Sequence, residues 1–150
     1  MKVLLQRVTK ASVSVDNEVV GEIGRGLVVF VGVARGDTER DAEYLADRIV
    51  NLRIFADDAS KFNLSALEIK GGLLVISQFT LLADTRKGRR PSFMEAAPPE
   101  KAEALFNLVV DHLLDTGLKV EMGCFGEHML VEIHNDGPVT VELDSKGKAL

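Results

Sequence analysis

Apolar and polar residues alternate through the first two dozen positions and then give way to unbroken apolar runs. Val3 to Val8 and Ala11 to Val15 predict a first pair of strands, the second alternating as Ser12, Val13, Ser14, Val15. Asp16-Asn17 marks a turn, Glu18 to Ile23 continues the antiparallel pattern, and Gly24-Arg25-Gly26 turns the chain again. Leu27 to Val33 is then apolar throughout, as is Leu73 to Ile76 after Gly71-Gly72. Runs with no polar face belong at the centre of a sheet, covered on both sides.

Two other stretches follow the helical period. After the loop Arg35-Gly36-Asp37, Thr38 with Asp41 three residues on resembles a capping box. Ala42, Leu45, Ile49 and Leu52 then recur at spacings of three and four, in a helix that reaches about Arg53. Pro98-Pro99-Glu100 opens the second helix, because proline fits a first turn where its missing N–H costs nothing. Ala102, Leu105, Phe106, Val109, Val110 and Leu113 form its apolar face, and Gly117 ends it.

Between the helices, Ile54 to Ala56 predicts a short strand, Asp57 to Lys61 a polar loop, and Asn63 to Lys70 a return to the central strand. Beyond them, Leu118 to Met122 predicts a strand and Gly123-Cys124-Phe125-Gly126 a turn. Met129, Val131 and Ile133 then make the inward face of another strand. Val139 to Leu143 reads as the last strand and Lys146 to Leu150 as a frayed tail. The predicted fold class is α+β: a mainly antiparallel, barrel-like sheet with two substantial helices, forming a single domain over 1-150.

Composition bounds the function. The 150 residues, 46% hydrophobic and 27% charged, suffice for one core and are too few for two ordinary domains. No apolar run approaches the ~20 residues of a membrane span, and MKVLLQRVTK is too short in apolar residues for a signal peptide. A single cysteine, Cys124, excludes an internal disulfide and fits a reducing compartment, so a cytoplasmic protein is expected. One Cys and three His argue against structural zinc, and no cofactor is expected. Asp57-Asp58 and the set His128, Glu132, His134 are candidate metal ligands by residue type. Surface loops commonly carry such pairs, and regular spacing is what any outward strand face shows, so no metal site is assigned.

The candidate chemistry gathers between Ser77 and Phe93, which read SQFTLLADTRKGRRPSF. Ser77, Gln78 and Thr80 bring hydroxyl and amide groups to the end of a core strand, where each needs a partner, a water or a ligand. Arg86, Lys87, Arg89 and Arg90 follow within five residues, while the rest of the chain carries 14 basic against 23 acidic residues. One basic loop on an acidic body points to a localised anion, with phosphate the first candidate. The plainer alternatives are a strand end bonded to neighbouring backbone and a loop that is only solvated. The adjacency of the two features favours a site for an RNA or nucleotide end.

Two further positions stand out. Asn135-Asp136-Gly137-Pro138 suits a hairpin turn, yet proline directly after glycine fixes local geometry, removes a donor and makes a cis peptide accessible. Arg7 sits between Leu5 and Val8 and by its pattern is an edge residue reaching water.

SQFTLLADTRKGRRPSF, the later NDGPVT, the intervening CFGEHM, the opening QRV and the phrase NLRIF together resemble the D-aminoacyl-tRNA deacylase family over essentially the whole chain. The resemblance implies a homodimeric enzyme that hydrolyses the ester between a D-amino acid and the terminal adenosine of tRNA, spares L-aminoacyl-tRNA, and releases glycine mischarged on tRNA-Ala. It implies that the pocket of one subunit, lined by Ser77, Gln78, Phe79 and Thr80, is completed by a cis Gly137-Pro138 of the other. Arg7 is implied to help fix that inserted peptide, and Met129 and Phe125 to line the pocket. Arg86, Lys87, Arg89 and Arg90 then become phosphate contacts near the acceptor end.

The chemistry asks little of the side chains. An aminoacyl ester has a good leaving group, so polarising its carbonyl and placing a water suffice. A threonine with no nearby base is a weak nucleophile, so Phe79 and Thr80 are read as backbone N–H donors to the oxyanion. The alternatives are a non-catalytic RNA- or DNA-binding module using the basic loop, and a general esterase or peptidase using Ser77 or Thr80.

Overall fold

The computed structural model describes residues 1–147. One long strand organises its main sheet. β1 (Lys2–Val15) replaces the two strands expected at 3–8 and 11–15. Thr9-Lys10 supplies no turn residue, so the backbone stays extended there and absorbs irregularities in its pairing. The first half of β1 pairs with β3 (Gly26–Gly32) and the second half with β2 (Glu18–Ile23), both antiparallel. Along its other edge β1 pairs with β8 (Leu130–Asp144) nearly end to end.

Two pairings in this sheet are parallel, which the residue pattern does not reveal. β3 lies parallel to β6 (Gly72–Ser77), and β6 parallel to β7 (Val120–Met122). Parallel neighbours require long crossovers. The first carries α1 (Glu39–Asn51), the small sheet of β4 (Phe55–Ala56) and β5 (Phe62–Leu64), and a short α2 (Ala66–Ile69) that the pattern did not predict. The second carries α3 (Pro99–Leu114). The fold is α+β, with antiparallel pairing predominant and the sheet curled into a nearly closed barrel.

Side-chain alternation along β3 and β6 explains their unbroken apolar runs. Leu27, Val29, Val31, Leu73 and Val75 face a core shared with α1 and α3. Val28, Leu74 and Ile76 face a second core inside the curl, with Val8, Val13 and Ile23. Leu73, Leu74 and Val75 are fully buried, and each contributes about 1.5–3 kcal/mol of transfer free energy. Ala42, Leu45 and Ile49 of α1 and all six predicted residues of α3 are buried. Leu52 instead lies at the C-cap of α1, half-buried.

One end of the barrel, where β1 starts and β3 and β8 finish, is tied by a buried ion pair. The α-ammonium of Met1 donates to the Asp37 carboxylate at 2.7 Å and to the Ser145 hydroxyl at 2.8 Å. The second Asp37 oxygen accepts the Ala34 N–H at 2.6 Å. Lys146 turns back to Asp144 at 2.9 Å, and residues 148–150 of the expected tail lie outside the described residues.

β8 is one strand where two were expected, and it is not regular. Thr140 faces Gln6 and Asn135 faces Val8, so residues 136–139 stand opposite Arg7 alone and bulge from the ladder. Asn135 closes the neck: its Oδ1 accepts the Val139 N–H at 3.1 Å and its Nδ2 donates to Thr140 Oγ1 at 3.0 Å. Within this excursion the Gly137–Pro138 peptide is cis, and both residues are exposed.

Candidate active site

The polar end of β6 is held in place by its neighbour β3. The Gln78 N–H donates to the Val31 carbonyl at 2.8 Å, after which the chain leaves the sheet in a single 3-10 turn, Phe79–Leu82. That turn lies directly on Gly32. A Cβ there would stand 2.6 Å from Leu82 Cδ2 and 3.0 Å from the Gln78 carbonyl oxygen, so only glycine allows so close a seat. Leu81 N–H returns to the Gln78 carbonyl at 3.2 Å and Ala83 N–H to the Thr80 carbonyl at 3.1 Å. The first amides of such a turn have no acceptor within it. Among the described residues the N–H groups of Phe79 and Thr80 have no protein acceptor.

Beside the turn opens a cleft of about 830 Å³. Ser77, Gln78 and Phe79 form one wall, and Phe125 and Met129 another, so five of the predicted residues meet here. Thr80 is next in the chain; it is exposed, and its hydroxyl accepts a hydrogen bond from the Gln78 amide. The remaining wall is the segment entering α3, with Phe93, Ala96, Ala97, Pro98, Pro99 and Ala102. In the sequence Pro98-Pro99 reads only as a helix start. Phe93 closes the SQFTLLADTRKGRRPSF motif and packs edge-on against Phe79 with centroids 5.0 Å apart, so the motif itself held a signal for that wall.

Arg35, Glu127 and His128 stand at the cleft and, with Ser77 and Gln78, bring charge and polarity to a mostly apolar lining. His128 was expected on an outward face with Glu132 and His134. It precedes β8, and a turn at 123–127, closed by the Glu127 N–H to the Cys124 carbonyl at 3.2 Å, brings it to the cleft. None of the described hydrogen bonds joins His128 to Ser77 or Thr80. No group of three or more His, Cys, Asp or Glu residues is arranged to hold a metal among the described residues.

Arg7, Gly137 and Pro138 do not line this cleft. Arg7 leaves β1 toward the excursion of β8. Its Nε donates to the Asp136 carbonyl at 3.0 Å, with the Asp136 carboxylate at 3.6 Å, and a terminal nitrogen donates to the Ile54 carbonyl at 2.9 Å. The side chain is only 12% exposed, so it is a tie to the excursion and not an edge residue reaching water. Gly137 has φ +131°.

The basic loop springs from beside the cleft. Asp84 and Ser92 pair across its base at 2.8 and 2.9 Å, and Phe93 follows directly. Arg86 forms a two-bond pair with the Asp84 carboxylate at 2.9 and 2.8 Å. These bonds hold the Asp84 carboxyl well below the usual carboxylate range, at about 2. Lys87, Arg89 and Arg90 are exposed and make no ion pair among the described residues.

A family model described as D-Tyr-tRNA(Tyr) deacylase matches residues 4–144. The chain belongs to the D-aminoacyl-tRNA deacylase family. A D-aminoacyl-tRNA deacylase of Dehalococcoides mccartyi is 58% identical over 148 residues, covering 99% of this chain and 97% of that protein. One from Caldicellulosiruptor saccharolyticus is 58% identical over 97% of this chain and 98% of its own. A solved structure of the c-Myc DNA unwinding element binding protein is 41% identical, with a TM-score of 0.91 over 96% of this chain and 98% of that one. A probable eukaryotic D-amino acid tRNA deacylase, 18% identical, has the same fold with a TM-score of 0.82 over 95% and 97% of the two chains. As a member of the deacylase family the chain is an enzyme, a hydrolase. No helix among the described residues is long and apolar enough to cross a membrane.

Proposed function

We propose that this protein hydrolyses the ester of D-aminoacyl-tRNA, and glycine mischarged on tRNA-Ala, at a site shared between two copies of the chain. One observation carries the shared site. The excursion bearing Gly137 and Pro138 is tied down by Arg7 and Asn135, yet it lies exposed and outside the cleft of its own chain. A constrained, outward-facing peptide of this kind suits insertion into a second copy.

In the assembled site the unpartnered amides of Phe79 and Thr80 receive the developing oxyanion. Donors already fixed in position cost no reorganisation as charge builds. Ser77, Phe125 and Met129 flank the aminoacyl group, and Gln78 holds the Thr80 hydroxyl away from attack. The ribose hydroxyl beside the ester helps to activate the water. Main-chain carbonyls at Gly137 and Pro138 of the partner hold the substrate α-amino group. With three directions about Cα taken, the fourth admits hydrogen and collides with any L side chain. Glycine presents no side chain and is therefore not rejected. Lys87, Arg89, Arg90 and, less freely, Arg86 meet the phosphates of the acceptor end.

Complementation tests the arrangement. Ala96→Trp fills the cleft and Gly137→Ala disturbs the inserted peptide, and each variant alone is expected to be impaired on D-tyrosyl-tRNA. Mixed and reassociated, they form a heterodimer with one cleft and one peptide intact at the same site, and activity returns. No recovery despite heterodimer formation would place both halves in one chain. Absence of hydrolysis by the wild type, with retained binding of RNA or DNA, would favour the non-catalytic alternative, to which the exposed basic loop and the likeness to a DNA unwinding element binding protein lend support.

A further inference from the structure

We infer that Phe62, on the small β4–β5 sheet, is a positioning residue for this reaction: its ring backs the Arg7 guanidinium and thereby sets where Gly137 and Pro138 stand. The inference rests on the function proposed above and adds an element of the fold that lies outside the cleft.

Arg7 is nearly buried, yet among the described residues its one carboxylate partner, Asp136, is 3.6 Å away. Much of what holds its guanidinium comes from the β4–β5 segment. Ile54, just before β4, supplies a carbonyl at 2.9 Å, and Phe62, the first residue of β5, supplies a ring whose centroid is 5.4 Å from the guanidinium carbon. That distance lies within the ~6 Å range of cation–π attraction. A carbonyl fixes the direction of one N–H, whereas a ring over the planar guanidinium also fixes its plane. The orientation matters because the same group bonds the Asp136 carbonyl at 3.0 Å, and a Cβ added to Gly137 would lie 3.2 Å from its other terminal nitrogen.

Burial does not account for an aromatic residue at this position, since Phe62 is 57% exposed. The segment around it is held by other contacts. Arg53 Nε donates to the Asn63 carbonyl at 2.9 Å, and the Asp57 carboxylate accepts the N–H groups of Ala59 and Lys61 at 2.8 and 3.0 Å. Replacing Phe62 is therefore expected to leave the fold intact. Among the described residues the excursion has two ties, the Asn135 neck and Arg7, and Phe62 acts on the second alone.

The test compares Phe62→Leu, which keeps an apolar side chain and removes the ring face, with Phe62→Tyr, which keeps both. In the full-length protein, Phe62→Leu should lower kcat on D-tyrosyl-tRNA about two- to fivefold. KM for the tRNA should not change, because the basic loop is untouched. Solvent exchange of the Arg7 Nε–H, followed by nitrogen-15 NMR, should quicken by a similar factor. Phe62→Tyr should restore both readouts, and in an Arg7→Met background Phe62→Leu should have no further effect on kcat. Wild-type kcat in Phe62→Leu, a tyrosine variant as impaired as the leucine variant, or an undiminished loss in the Arg7→Met background would each overturn the inference. A wild type inactive on D-tyrosyl-tRNA would instead refute the proposed function, and the positioning role with it, while the Nε–H exchange would still report whether the ring holds Arg7.

Discussion

Gly137→Ala tests the Gly-Pro excursion most directly. A Cβ at this position would lie 2.8 Å from Val139 Cγ2, 3.1 Å from the Val139 nitrogen and 3.2 Å from an Arg7 terminal nitrogen. Ordinary contact begins at 3.4 Å, so the excursion must shift by ~0.6 Å against Val139 alone. The φ of +131° is also one that alanine rarely adopts, which adds about 1–3 kcal/mol of local strain. Because Gly137 is exposed and the strain is local, the fold should survive with a Tm lower by a few degrees. Catalysis should suffer more. A misplacement approaching 1 Å costs about a hundredfold in rate, so a 10- to 100-fold fall in kcat/KM on D-tyrosyl-tRNA is expected, about 1.4–2.7 kcal/mol of transition-state stabilisation. Discrimination against L-tyrosyl-tRNA should weaken as well, because the collision that rejects it depends on the same placement. Single-turnover deacylation of the two enantiomers by variant and wild type, with circular dichroism as the folding control, measures both. Unchanged kinetics on both enantiomers in a folded variant would refute the reasoning.

Other expectations follow from the same geometry. Thr80→Ala should retain much of the D-tyrosyl-tRNA deacylation, because the proposed donor is the Thr80 amide; a complete loss in a folded variant would restore the hydroxyl as nucleophile. Replacing Lys87, Arg89 and Arg90 together by alanine should weaken binding to all tRNAs alike and flatten the slope of log K against log salt by about 2–3. Arg86→Ala alone should change that slope least, since Asp84 already engages its charge. Asp37→Asn leaves the buried Met1 ammonium without its counter-charge and should destabilise the protein by about 3–5 kcal/mol in urea titration; a change under 1 kcal/mol would show the pair to be dispensable. The Asp84 carboxyl is depressed from 3.8 to about 2 in the folded state, so what its pair with Arg86 adds to stability is fully present above pH 4 and is lost as pH falls through 2. Titration of the Asp84 carboxyl carbon by NMR should show that midpoint; an ordinary one near 4 would mean that the pair does not form in solution.

The residue pattern alone determined the two long helices, their buried faces and the two central strands. Those signals are local: a capping residue, a helical period, an apolar run long enough to need cover on both sides. SQFTLLADTRKGRRPSF likewise marked one wall of the cleft, because a polar strand end and a basic loop adjoin in the chain. Tertiary structure decided what pairs with what. Nothing at Thr9-Lys10 shows that β1 runs through, and nothing in Leu27 to Val33 shows that its neighbour β6 is parallel, since both depend on partners more than forty residues away for β6 and more than a hundred for β8. The surroundings of Arg7 were decided the same way. In sequence it is a cation in an apolar strand, and only the folded chain brings Asp136, Ile54 and Phe62 around it. Side-chain chemistry is written locally, whereas the direction in which a guanidinium or a Gly-Pro peptide is held depends on contacts that the chain makes only once it is packed.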